Sequence, residues 1–184
     1  RNNVTGTGNA AIGTLALESN TTANYNTGCG YKSLYSNTTG AENTACGRAA
    51  LEDNTTGSEN VAVGNHCLRN NTTANYNTAV GHDALTANTT VSNLTAVGYA
   101  ALTANTTGTN NTAVGDRALD ANTTGSANVA VGDGALGSIT TNNYCTAMGH
   151  FALNSNTSAN NTAFGANAGR DNTSGYITAV GNSA

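Results

Sequence analysis

The chain has 184 residues, enough for one ordinary domain, yet Asn, Thr, Ala and Gly fill about 63% of it and only 9% of residues are charged. Leu, Ile, Val and Phe together reach about 14%, which excludes a large core of bulky side chains. A net charge of -4 excludes both a highly charged disordered tail and a basic surface for nucleic acid, and no apolar run approaches the roughly 18 residues of a membrane span.

The residues repeat from end to end. The string N-T-A-V-G or a close variant closes on Gly13, Gly30, Gly47, Gly64, Gly81, Gly98, Gly115, Gly132, Gly149, Gly165 and Gly181. The first eight intervals are 17 residues long and the last two are 16. The consensus unit reads G-x-x-A-L-x-x-N-T-T-G-x-x-N-T-A-V. Such a period is too short for paired helices, which need about 33 to 47 residues. Gly, Thr and Asn are also poor helix formers. The spacing therefore predicts an all-β fold: a parallel β-solenoid (β-roll) of about 17 residues per turn and roughly eleven turns. Residues 1–184 read as a single repeat solenoid, a segment of a longer fibre. Stacked at the strand spacing of a sheet, ten intervals give a rod of about 48 Å.

Within each turn, T-A-V alternates as a strand does, with Thr and Val on one side and Ala on the other. The Val column (Ile12, Cys29, Cys46, Val63, Val80, Val97, Val114, Val131, Met148, Phe164, Val180) and the Leu column (Leu17 through Leu153, then Gly169) are the expected core. The Ala column is then expected to face outward: Ala45, Ala62, Ala79, Ala96, Ala113, Ala130, Ala147, Ala163 and Ala179. A long uncharged strip of methyl groups is a candidate interface between chains. The plainer alternative is that Ala merely tolerates a crowded sheet.

Two Asn columns, starting at Asn20 and Asn26, read as scaffold, because stacked amides bond to one another and to corner backbone. Gly40, Gly57, Gly108, Gly125 and Gly175 are expected to supply positive φ at a tight corner. Cys29, Cys46, Cys67 and Cys145 have no metal-like spacing and read as small apolar substitutes, although a Cys29–Cys46 bridge between adjacent turns is conceivable. His82 and His150 stand four turns apart, roughly 19 Å, too far to share a metal. The acidic residues scatter over variable positions. No phosphate loop and no calcium repeat is present. No catalytic, metal or cofactor residue is assigned, and an enzyme is not expected.

The N-T-A-V-G-x-x-A-L unit, as at Asn111-Thr112-Ala113-Val114-Gly115, resembles the head repeats of trimeric autotransporter adhesins with their S-V-A-I-G-type motif. It also resembles the repeat shafts of phage tail-fibre proteins. The resemblance covers almost the whole chain, departs from the adhesin heads in its longer turn, and implies a left-handed parallel β-roll in which three chains associate side by side. It carries no catalytic residues. The expected function is a structural, adhesive fibre segment, extracellular, at a cell surface or on a virion, self-associating as a homotrimer and presenting Asn/Thr-rich surfaces to a glycan or protein receptor. The alternative is an ice-binding protein that uses Thr/Asn ladders.

Overall fold

A computed structural model describes residues 2–184 as a single stack of short parallel strands, with no helix among them. Each turn contributes one three-residue strand: β1 Ala10–Ile12, β2 Thr27–Cys29, β3 Thr44–Cys46, β4 Val61–Val63, β5 Thr78–Val80, β6 Thr95–Val97, β7 Thr112–Val114, β8 Val129–Val131, β9 Thr146–Met148, β10 Thr162–Phe164 and β11 Thr178–Val180. They form one eleven-stranded sheet in chain order. Pairing is residue for residue, so that Thr95, Ala96 and Val97 lie against Thr112, Ala113 and Val114. The 17-residue period and the parallel solenoid expected from the repeat are therefore present.

The T-A-V strand faces the opposite way from the sequence expectation. Ala45, Ala62, Ala79, Ala96, Ala113, Ala130, Ala147 and Ala163 are completely buried, and Ala179 at the last strand is nearly so. The Val column lies outside: Val63, Met148 and Phe164 are 38–40% exposed, and Val80, Val97, Val114 and Val131 are partly exposed. The Ala column is thus core and has no surface with which to meet another chain. The physical reason is the thinness of the tube. Leu34, Leu51, Leu68, Leu85, Leu102, Leu119, Leu136 and Leu153 are completely buried and project inward from the opposite wall. Two Asn per turn fill the remaining interior, so only a methyl fits on the sheet side.

The Leu residues reach inward from an unusual backbone. From Leu17 to Leu153 every Leu of the column has φ between 48° and 54°, in the left-handed region. Two further columns share it, for example Ala100 (φ 53°) and Asn110 (φ 56°). Such a conformation costs about 1–2 kcal/mol per non-glycine residue, which burying a Leu side chain offsets with about 1.5–3 kcal/mol. The corner glycines expected to have positive φ do not have it; the left-handed turns fall on these other residues. Gly57 is small for a different reason: a Cβ there would lie 2.4 Å from the Ala74 carbonyl oxygen of the next turn. The glycine that closes each N-T-A-V-G does have positive φ. Gly98 sits at φ 137°, and a Cβ would meet the Gly115 carbonyl oxygen at 2.2 Å.

The two Asn columns are both buried, and they bond differently. In the first, Asn54 Nδ2 donates to Asn37 Oδ1 at 2.8 Å and to its own turn's Gly57 carbonyl at 2.9 Å. Asn71 repeats the pattern onto Asn54. In the second, Asn43 Oδ1 accepts the Asn60 backbone N–H at 3.0 Å while its Nδ2 donates to the Gly57 carbonyl of the next turn at 2.8 Å. Substitutions test the two patterns. Leu94 and Cys145 replace second-column Asn, and their backbone N–H groups still reach Asn77 and Asn128 Oδ1 at 2.9 Å. Ile139 interrupts the first column and offers the buried Asn122 Oδ1 no donor; Asn88 Oδ1 is likewise without a partner, because Asn105 Nδ2 donates to the Gly108 carbonyl instead.

Candidate functional site

Two surfaces carry the chemistry available outside the core. The first is the outer face of the sheet, made by the residues on either side of each buried Ala. One rank runs Ala10, Thr27, Thr44, Val61, Thr78, Thr95, Thr112, Val129, Thr146, Thr162 and Thr178; the other is the Val column. Neither rank contains a charged residue. The strip runs about 48 Å along the axis, with one rank mostly Thr and the other mostly apolar. Cys29 and Cys46 sit on it as register partners in β2 and β3, and both thiols are free.

A different set of threonines is occupied by the fold. Thr38 Oγ1 donates to the Thr55 carbonyl and Thr55 Oγ1 to the Thr72 carbonyl, both at 3.0 Å, with Thr106 and Thr123 continuing the pattern. These hydroxyls tie successive turns together. Their neighbours Thr39, Thr56, Thr107 and Thr124 are exposed.

The second surface is the ridge between each turn glycine and the first Asn column. It holds every charged residue of the sequence except Arg1, Glu42 and Glu59, and all three histidines. Glu52 is its electrostatic centre: Lys32 Nζ and Arg69 Nε reach its two carboxylate oxygens at 3.0 and 2.9 Å. Burial acts to raise the Glu52 pKa, but the hydrogen bonds and charges of Lys32 and Arg69 outweigh it and hold the carboxyl below the ordinary glutamate range. The Lys32 ammonium, held by Glu52, also lies 5.2 Å from the centre of the Tyr35 ring. Tyr31, Lys32, Arg48, Glu52, His66 and Arg69 line a cleft of about 250 Å³. Further along, burial raises the Asp120 pKa.

One turn beyond the cleft, His66, His82 and Asp83 converge. His82 Nδ1 lies 3.0 Å from Asp83 Oδ2, and His66 Nδ1 lies 3.5 Å from Asp83 Oδ1. One ligand-capable atom from each of the three lies within 4.8 Å of the others. His82 stacks on Tyr99 with ring centres 5.6 Å apart and planes 19° apart. The repeat carried this signal, since Asp83 follows His66 by one 17-residue period and therefore stacks beside it. His150 pairs separately with Asp133 at 3.7 Å. Cys67 and Cys145 are buried, and burial pushes the Cys67 thiol up to about 12.

No family model, curated protein or solved structure matches the chain.

Proposed function

We propose that the chain is a rigid fibre segment, extracellular or virion-attached, whose Thr/Val sheet face packs against identical chains in a homotrimer. The ridge is left for solvent and for a glycan or protein receptor. The observation that carries this reading is the outer face of the sheet: eleven strands long, without a charge, and lined by Val, Ile, Cys, Met and Phe side chains that are still partly exposed. A continuous uncharged strip carrying a partly exposed apolar rank supports association. With the Ala residues buried, the Thr and Val ranks take the interface role. Closed rotational symmetry would bring the same face of each chain to a common axis. The role requires no catalytic group, only a stiff rod and a self-complementary side.

The ice-binding alternative draws on the same face, where Thr recurs at the strand spacing of about 4.8 Å. Two features favour association over ice. Val61 and Val129 interrupt the Thr rank, and Met148 and Phe164 protrude from the other. A packed protein interface accommodates such differences in size, whereas a crystal surface repeats without them.

Sedimentation equilibrium separates the readings when paired with an ice-recrystallisation assay. The expected result is a three-chain mass, a monomeric Val97→Lys/Val114→Lys variant with unchanged far-ultraviolet dichroism, and no recrystallisation inhibition. A monomeric wild type that inhibits recrystallisation would select the alternative.

A further inference from the structure

We infer that His66, His82 and Asp83 form a binding site for a divalent transition-metal ion, of which Zn²⁺ is the type. The inference stands independently of the fibre reading. The donors are two imidazole nitrogens and one carboxylate, a set that suits zinc, nickel or copper rather than calcium or magnesium, which take oxygen ligands. Around a tetrahedral zinc with bonds of about 2.0–2.1 Å, donor atoms lie about 3.3 Å apart. The two Asp83 oxygens face one imidazole each, Oδ2 at 3.0 Å from His82 Nδ1 and Oδ1 at 3.5 Å from His66 Nδ1, and one donor atom from each residue falls within 4.8 Å of the others. Side-chain rotation brings the donors together to the tetrahedral spacing. Three protein ligands leave the fourth position to water, and the site is open to solvent, with His82 exposed and the other two half-buried.

The surroundings hold the donors in place. Thr86 Oγ1 lies 2.8 Å from the Asp83 carbonyl and 3.2 Å from the His66 carbonyl, tying the two turns at the residues that carry the ligands. The Asp83 backbone N–H donates to the Asn65 carbonyl at 3.0 Å, and Tyr99 supports the face of the His82 ring. One neighbour works against the ion. Arg48 Nη1 lies 2.8 Å from His66 Nε2, an arrangement in which the guanidinium donates and Nε2 accepts. When the ion takes Nδ1, Nε2 carries the ring proton, so Arg48 must swing aside. Removing Arg48 should therefore tighten binding.

The test is titration of the tag-free chain with Zn²⁺ by calorimetry, and with Co²⁺ followed by visible absorption. Asn tolerates the left-handed backbone of His66 (φ 56°) and Asp83 (φ 58°), so the variants His66→Asn and Asp83→Asn, together with His82→Gln, keep the fold; far-ultraviolet dichroism checks this. The expected result is one ion per chain, affinity lowered at least about tenfold in each ligand variant and raised about threefold in Arg48→Ala, and no change in His150→Gln. Zinc should raise the melting temperature of wild type and not of Asp83→Asn. Absence of binding at millimolar Zn²⁺ would overturn the site, as would binding indifferent to His82→Gln and Asp83→Asn. A thiolate-to-cobalt band in the near ultraviolet would assign the ion to Cys29 and Cys46 instead and equally overturn it.

Discussion

The sheet face and the ridge belong to the same turns and obey opposite rules. On the sheet face nine of the eleven strands, β3 to β11, repeat Thr or Val, then Ala, then an apolar residue or Cys, and charge enters none of the eleven. On the ridge the same turns alternate Tyr, Lys, Arg, His, Asp and Asn with little regularity, around an inward Leu that recurs through turn after turn. The difference follows from what each side chain meets one turn later. Ala113 and Leu102 stack against copies of themselves inside a tube one side chain deep, and any change of size is passed on to the neighbours. Most ridge side chains project toward solvent, several from left-handed corners such as Lys32 and Arg117, and they meet chiefly the turn above and below. A repeat of this kind separates its structural code from its variable surface within six residues.

Charge placed on one side or the other should break the comparison most sharply. Leu102→Asp puts an unpaired carboxylate into a completely buried position and should unfold or fray the rod. Val114→Asp, on the outward face, should leave dichroism and the melting transition largely intact. Thermal melts read by dichroism compare the pair, and equal losses would erase the distinction between inside and outside.

Backbone packing gives the next effect. Gly98→Ala introduces a Cβ 2.2 Å from the next turn's carbonyl oxygen at φ 137°, with an expected loss of about 3 kcal/mol. Tyr99→Ala, one residue along and exposed, loses its stack on His82 and should change chemical denaturation by only about 0.5–1 kcal/mol.

The ridge charges should show opposite pH signatures. The Glu52 pKa is lowered in the folded chain, so its contribution is present above the ordinary glutamate range and is lost as pH falls. Glu52→Gln should therefore cost about 1–2 kcal/mol at pH 7, since its partners are partly exposed, and nothing in acid. The Asp120 pKa is raised by burial, so its charged form is penalised as pH rises through the folded pKa. Asp120→Asn should raise the melting temperature slightly at pH 7, and the gain should vanish in acid. Melting temperature against pH, measured for both variants, reads the two signs directly.

The smallest effect is a gain. Ile139→Asn restores a donor to the first Asn column beside the orphaned Asn122 Oδ1 and should add about 1 kcal/mol in urea unfolding. A loss there would mean that the Ile side chain contributes more than the missing hydrogen bond.

Much of this was legible in the residues. The 17-residue spacing of N-T-A-V-G carries the turn, the strand position and the parallel register, and the Leu column reads as core because Leu is the largest apolar residue of the unit. The T-A-V triplet shows that Ala opposes Thr and Val, but not which side is wet. Hydrophobicity points Val inward, whereas the space left by Leu and two Asn admits only Ala. The left-handed backbone at Leu was hidden because Leu disfavours it locally, and only the tertiary gain of burial sustains it. The His66–His82–Asp83 cluster was within reach of the period alone, by adding 17 to His66.

The outward orientation of the Val column is the premise of the whole account, and the native cysteines report on it. Cys29 and Cys46 occupy that column, while Cys67 and Cys145 are buried. Maleimide labelling of the folded Val97→Lys/Val114→Lys chain, read by peptide mass spectrometry, should modify Cys29 and Cys46 rapidly and Cys67 and Cys145 only after denaturation. Protection of Cys29 and Cys46 in that folded chain would contradict it.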